Sequence, residues 1–135
     1  MVNQIFANLP VKDLKKSMVF FTKLGFKFDK TFTDKNAACL ILGKNIYAML
    51  ITHKLFSTFT KKKISDAKKQ TEVLLALQVG SKKEVDSIIK KARSAGGKGY
   101  VPPMDYGWMY SNNFIDLDGH QWEVFFMNKK KMPKK

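Results

Sequence analysis

Apolar and polar residues alternate most sharply near the end of the chain. In Gln-Trp-Glu-Val-Phe-Phe-Met, residues 121–127, Trp122, Val124 and Phe126 fall on one side of a strand. Gln121, Glu123, Phe125 and Met127 fall on the other, because successive strand side chains point to opposite faces. The wholly apolar set predicts a core face. Glu123 is then a carboxylate in largely apolar company on the opposite face, which makes it the most informative residue in the run. Asp118-Gly119 just before it predicts a tight turn.

Earlier segments follow the same logic. Residues 4–11 alternate as a strand, with Ile5, Ala7, Leu9 and Val11 on one face and Phe6, Asn8 and Pro10 on the other. Pro10 argues against a fully bonded central position. Asp13 is placed to cap a helix carrying Leu14, Met18, Phe21 and Leu24, and Gly25 ends it. Strand-like runs follow at Phe26–Phe32, Ala37–Leu42 and Ile46–Thr52, the last two joined by a turn at Gly43-Lys44-Asn45. Regularity is lost over residues 53–71, where Ile64-Ser-Asp-Ala67 is compatible with a helical turn. The aromatics of this connector need cover, either as a lid or against a sheet edge. Glu72–Val79 predicts another strand. Ser81-x-x-Glu84 is a capping-box pattern before an apolar helical stripe of Val85, Ile88, Ile89 and Ala92. Gly96-Gly97 stops that helix. Tyr100-Val101 is a short extended stretch before Pro102-Pro103, and residues 105–110 form an aromatic loop into the last hairpin.

The order is strand, helix, three strands, connector, then strand, helix, three strands. Leu9-x-Val11-x-Asp13 recurs as Leu77-x-Val79-x-Ser81, bringing both caps and both helices into correspondence. This predicts an α+β fold of two tandem βαβββ modules, at residues 4–52 and 72–127, with a basic tail at 128–135. Each sheet is expected to put one face on its helix and the other toward a shared cleft, as an incomplete barrel.

A length of 135 residues fits one domain with a sizeable core. The single cysteine, Cys39, excludes an intrachain disulfide and points to a reducing compartment, so the cytoplasm is expected. No apolar run is long enough for a membrane span. The net charge of +14 comes almost entirely from scattered lysines, Arg93 being the sole arginine. Lysine is a solvated point charge, whereas arginine suits bidentate reading of phosphate and bases. A solvated lysine surface is therefore expected, not a specific nucleic-acid site. There is no Gly-rich phosphate loop, and no motif assembles a nucleophile with a histidine. Cys39 is expected to be a small core residue.

Two motifs resemble one known family. Phe114-x-Asp116-x-Asp118-Gly-x-x-Trp122-Glu123 is similar to the last hairpin of the glyoxalase/bleomycin-resistance/extradiol-dioxygenase, or vicinal-oxygen-chelate, proteins. Leu9-x-Val11-x-Asp13-x4-Ser17-x2-Phe20-Phe21-x2-Leu24-Gly25-Phe26 resembles the family's opening strand and helix. The resemblance runs from about residue 4 to 127. That family includes glyoxalase I, extradiol dioxygenases, epimerases, thiol transferases that inactivate fosfomycin, and metal-free drug-binding proteins, so fold alone does not fix the reaction. Its enzymes usually hold a divalent metal with one ligand from each of four strands. Those positions fall here on Phe6, on Tyr47 or Met49, on Leu74 and on Glu123. Only Glu123 matches. His53 and His120, the only histidines, lack metal-ligand spacing with Cys39 or another carboxylate. The resemblance thus implies a cleft without a metal or other cofactor.

The expected function is binding of a small neutral or anionic organic molecule by Phe6, Asn8, Tyr47, Met49, Leu74, Ala76, Gln78 and Glu123, mostly apolar walls with a few placed polar groups. Trp108 and Tyr110, with Tyr106, are candidates for stacking at the mouth or for ordinary packing. The positive surface disfavours cationic drugs such as bleomycin. The alternative is a lyase or isomerase of the glyoxalase I type with Glu123 as acid or base, with or without a divalent metal. The resemblance also implies a homodimer.

Overall fold

The computed structural model describes residues 1–134; Lys135, the last residue of the basic tail, lies outside the described residues. The chain forms two compact units, Met1–Asp66 and Ala67–Lys135. Each holds an open four-stranded sheet, and the fold is α+β with neither sheet closed into a barrel.

In the first unit, β1 (Ile5–Val11) leads through α1 (Leu14–Lys23) to β2 (Lys27–Asp29), β3 (Ala37–Gly43), β4 (Ile46–Thr52) and a single-turn α2 (His53–Phe56). The sheet order is β1-β4-β3-β2, with β1 parallel to β4 and the other pairs antiparallel. Pro10 therefore lies on an edge strand, where its missing N–H costs least. Asp13 caps α1 by accepting a hydrogen bond from the Lys16 amide at 3.1 Å. Phe20, Phe21 and Leu24 from the helix end are buried, with Leu9, Val11, Ala38, Leu40, Ala48 and Leu50 from the strands.

Two local expectations fail here, the first because a side chain captures the backbone. The strand expected over Phe26–Phe32 stops at Asp29. Its carboxylate accepts from the Thr31 amide at 2.9 Å and turns Lys30–Phe32 into a 3-10 turn. The helical turn expected at Ile64–Ala67 is not formed. The connector's helix is α2 instead, nucleated where the Thr52 hydroxyl accepts from the Leu55 amide.

In the second unit, β5 (Leu74–Gln78) leads through α3 (Lys82–Ser94) to β6 (Met104–Asp105), β7 (Met109–Ile115) and β8 (Gln121–Met127). The order is β5-β8-β7-β6, with only β5 and β8 parallel. Ser81 accepts from the Glu84 amide at 3.1 Å, but Glu84 reaches back to the Gly80 amide, not to that of Ser81. Val85, Ile89 and Ala92 of α3 are buried, as are Phe114, Trp122 and Val124 on the sheet, where α3 packs on β7 and β8. Phe114 and Trp122 stack with ring centroids 6.0 Å apart.

The β7–β8 hairpin is closed by Asp116, which is 7% exposed. One carboxylate oxygen accepts from the Asp118 and His120 amides, both at 3.0 Å. The other accepts from the Trp122 indole N–H at 3.0 Å. Burial pushes the Asp116 carboxyl above the usual carboxylate range, while His120, the indole and the Asp118 amide pull it back. Gly119 completes the turn at φ +92°, and a Cβ there would lie 2.8 Å from the Lys68 amide nitrogen. The chain at Ala67–Lys68 thus rests directly on the hairpin. Gly25 also has positive φ, +101°, but its Cβ would meet nothing within 4 Å.

These two glycines separate backbone strain from close approach. Gly25→Ala is expected to cost about 1 kcal/mol, and Gly119→Ala clearly more, about 2–4 kcal/mol, by urea denaturation. Asp116→Ala leaves three donors, the buried indole among them, without their acceptor and is expected to cost about 3 kcal/mol. Because the folded-state pKa of Asp116 is raised, its contribution is present in full below the ordinary carboxylate range. It is lost as pH rises through the raised value. The stability difference between wild type and Asp116→Asn should accordingly widen as pH falls from about 7 to about 4. A difference that narrowed would contradict this account.

Candidate functional site

The face of the second sheet opposite α3 is set by register. Ala76 of β5 and Asn113 of β7 sit directly beside Glu123, one on each side. Leu74 pairs with Gln121 and Gln78 with Phe125, so Leu74, Ala76, Gln78, Gln121, Glu123 and Phe125 share this face. Leu74, Ala76 and Gln78 are exposed, and Glu123 is half-buried.

Asn113 is 3% exposed and holds the segment beyond β7 in place. Its side-chain oxygen accepts from the Tyr100 and Val101 amides, and its amide group donates to the Val101 carbonyl at 2.8 Å. The stretch between an isolated bridge at Lys98–Ile115 and β6 is thus bonded by a side chain where regular strand pairing is interrupted. This brings Tyr100 over the sheet. Its hydroxyl is buried with no hydrogen-bond partner, and burial together with the charge of Glu123 pushes the phenol up to about 12.

Beside Tyr100 a hollow of about 600 Å³ opens, lined by Ala67–Thr71, Gly96, Lys98, Ile115, Asp116, Leu117, Gly119 and Gln121. The Thr71 hydroxyl donates to the Gln121 side-chain oxygen, fastening the 67–71 strap to the start of β8.

Of the residues expected to line a site, Leu74, Gln78 and Glu123 are brought together on this face. Tyr110 is not. It pairs with Phe126 on the face toward α3, where its hydroxyl donates to Asp86 at 2.6 Å and Lys82 lies 4.8 Å over its ring. The bond to Asp86, more than burial, pushes that phenol up to about 12. Trp108 lies in the turn before β7, its carbonyl accepting from the Asn128 amide. In the first unit Phe6 pairs with Tyr47 and Asn8 with Met49, forming one patch opposite α1. The Phe6 and Tyr47 rings stack at 4.7 Å and 12°. Cys39 is fully buried, and burial, then Asp29, raise its thiol, which disfavours a nucleophilic thiolate.

The positions that the family resemblance assigns to metal ligands do not fit a metal. Phe6 is committed to a ring stack, Leu74 is an alkyl chain, and neither Tyr47 nor Met49 supplies an imidazole or carboxylate. Among the described residues no three His, Cys, Asp or Glu side chains gather as a ligand set. Glu123 alone offers a hard oxygen donor, too few for a divalent site.

Tyr100, Asn113 and Gln121 were not singled out by pattern. The signal for Asn113 was a polar pair, Asn112-Asn113, in the middle of a strand run, where only a satisfied amide can be buried.

No curated protein matches the chain. Solved structures do. A hypothetical protein from S. aureus is 30% identical, with a TM-score of 0.78 over 93% of this chain and 95% of that one. A glyoxalase/bleomycin resistance protein/dioxygenase family enzyme from Burkholderia phytofirmans PsJN superposes with a TM-score of 0.76 at 16% identity, covering 90% of this chain and 96% of that one. The fosfomycin resistance protein FosX from Listeria monocytogenes gives 0.69 at 18% identity, covering 100% of this chain and 96% of that one. The last two likenesses are of fold alone. The family model for the Glyoxalase/Bleomycin resistance protein/Dioxygenase superfamily matches residues 2–124, nearly the whole chain, and the chain belongs to that superfamily.

Proposed function

We propose that this chain binds a small organic molecule, neutral or anionic, on the Glu123 face of its second sheet, without a resident metal. One observation carries the proposal: a half-buried carboxylate stands on an open floor of Leu74, Ala76 and Gln78, among side chains that do not complete a metal site. Apolar Leu74 and Ala76 with the polar groups of Gln78 and Glu123 beside them suit an organic ligand carrying a donor group. No helix among the described residues is long and apolar enough to cross a membrane. We propose further that the chain acts as a homodimer. Each sheet has an edge strand with exposed apolar residues at or beside its start, Ile5 and Phe6 on β1 and Val73 and Leu74 at β5, and such edges call for cover.

Benzyl alcohol and benzoate serve as probes in 15N-shift mapping of the full chain. Shifts are expected to centre on Ala76, Asn113 and Glu123. Ala76→Phe fills the floor at an exposed position, so it should abolish them while changing stability by no more than about 0.5 kcal/mol. Shifts elsewhere, or survival of binding in this variant, would overturn the assignment. Elemental analysis of protein purified without chelator should show no stoichiometric Zn, Ni, Mn or Fe. One equivalent that vanished in Glu123→Gln would defeat the metal-independent reading.

A further inference from the structure

The hollow beside Tyr100 has a chemistry that the Glu123 floor lacks. Lys68, Lys69 and Lys98 line it, against one carboxylate, Asp116. That carboxylate is turned to the hairpin and already accepts three N–H donors, which leaves it little capacity for a ligand. Gln121 accepts from Thr71 through its side-chain oxygen, which leaves its NH2 group as the end able to donate to the hollow. The Tyr100 hydroxyl is shut off from solvent without a partner, a state that native structures seldom tolerate without a reason. Ile115 and Leu117 supply apolar wall.

We infer that this hollow seats the anionic group, a carboxylate or phosphate, of a small organic molecule, with Lys69 and Lys98 as counter-charges and the Tyr100 hydroxyl and Gln121 amide as directional donors. The inference rests on the reading that the adjoining Glu123 face binds organic ligands. The charge of Glu123 reaches Tyr100 and opposes an anion placed near it. The anionic group therefore belongs at the lysine side, and the body of the ligand runs toward Glu123, two residues along the same strand face from Gln121. With its phenol held up at about 12, Tyr100 keeps its proton throughout the neutral range and acts as a donor. The hydroxyl is closed to water, so a ligand oxygen accepts from it only once the ring swings toward the hollow, and that bond is one the unliganded chain lacks. This preference excludes cations on electrostatic grounds and separates anions from neutral molecules of the same shape.

The test titrates the full chain with benzoate, phenyl phosphate and benzyl alcohol at low and high salt, by calorimetry and 15N shifts. At low salt one or both anions should bind about tenfold or more tightly than benzyl alcohol, and which anion wins identifies the group. Lys69→Gln with Lys98→Gln changes two exposed side chains, so the fold is retained. This variant should lose the anion margin and leave benzyl alcohol unchanged. Tyr100→Phe should weaken anion binding several-fold while its Tm stays level or rises, because it removes a buried hydroxyl that bonds to nothing. Equal affinity for anion and alcohol, an undiminished margin in the lysine variant, or a lowered Tm in Tyr100→Phe would each overturn the anion seat. Benzyl alcohol shifts at Ala76 and Glu123 with no anion preference would keep the proposed function and reject this inference. No shift with any of the three probes would reject both.

Discussion

The second unit is arranged around the buried carboxylate of Asp116. Its two oxygens gather two backbone amides of the turn and the indole of Trp122, and so fix where the turn begins and which residue first enters β8 facing the core. Strand side chains have a period of two, so a slip of one residue would carry Trp122, Val124 and Phe126 out of the core and bury Glu123. A full set of acceptor bonds also explains why a charge-bearing group is tolerated there: burial raises its pKa, and the donors limit the rise. The orientation of Glu123 depends on a carboxylate seven residues earlier, one that borders the hollow but spends its oxygens on the hairpin.

Asn113 does for the sheet edge what Asp116 does for the turn. Two prolines follow Val101 and cannot donate to a ladder. Strand pairing between Lys98 and Met104 is interrupted, and one buried amide supplies three bonds in its place. Tyr100 lies within this interruption and borders the hollow.

Much of this was legible in the chain. The alternation in residues 121–127 is a one-dimensional signal and leads directly to the burial of Trp122 and the opposite placement of Glu123. The caps at Asp13 and Ser81 are equally local. Legibility failed where a side chain bonds to backbone that pattern cannot place. Asp29 cuts its strand short, Thr52 starts a helix, and Glu84 passes over Ser81 to reach Gly80. Tyr110 stood as a candidate either for stacking at a cleft mouth or for ordinary packing. Counting back across the hairpin pairs it with Phe126 and turns it toward α3. Asp116 stood in the sequence only as a motif position, since nothing local says that an indole six residues later will bond to it. Tyr100 needed the long-range bond to Asn113 before its position meant anything.

The close approach of Gly119 to Lys68 bears on how such a chain can be rearranged. Every residue lining the hollow, the 67–71 strap included, belongs to the second unit, and the strap is fixed to that unit by the bare Cα of one glycine and the Thr71–Gln121 bond. The hollow is thus a portable part. Duplication, fusion or exchange of the second unit between chains would transmit it whole, provided that the break in the chain falls before Ala67.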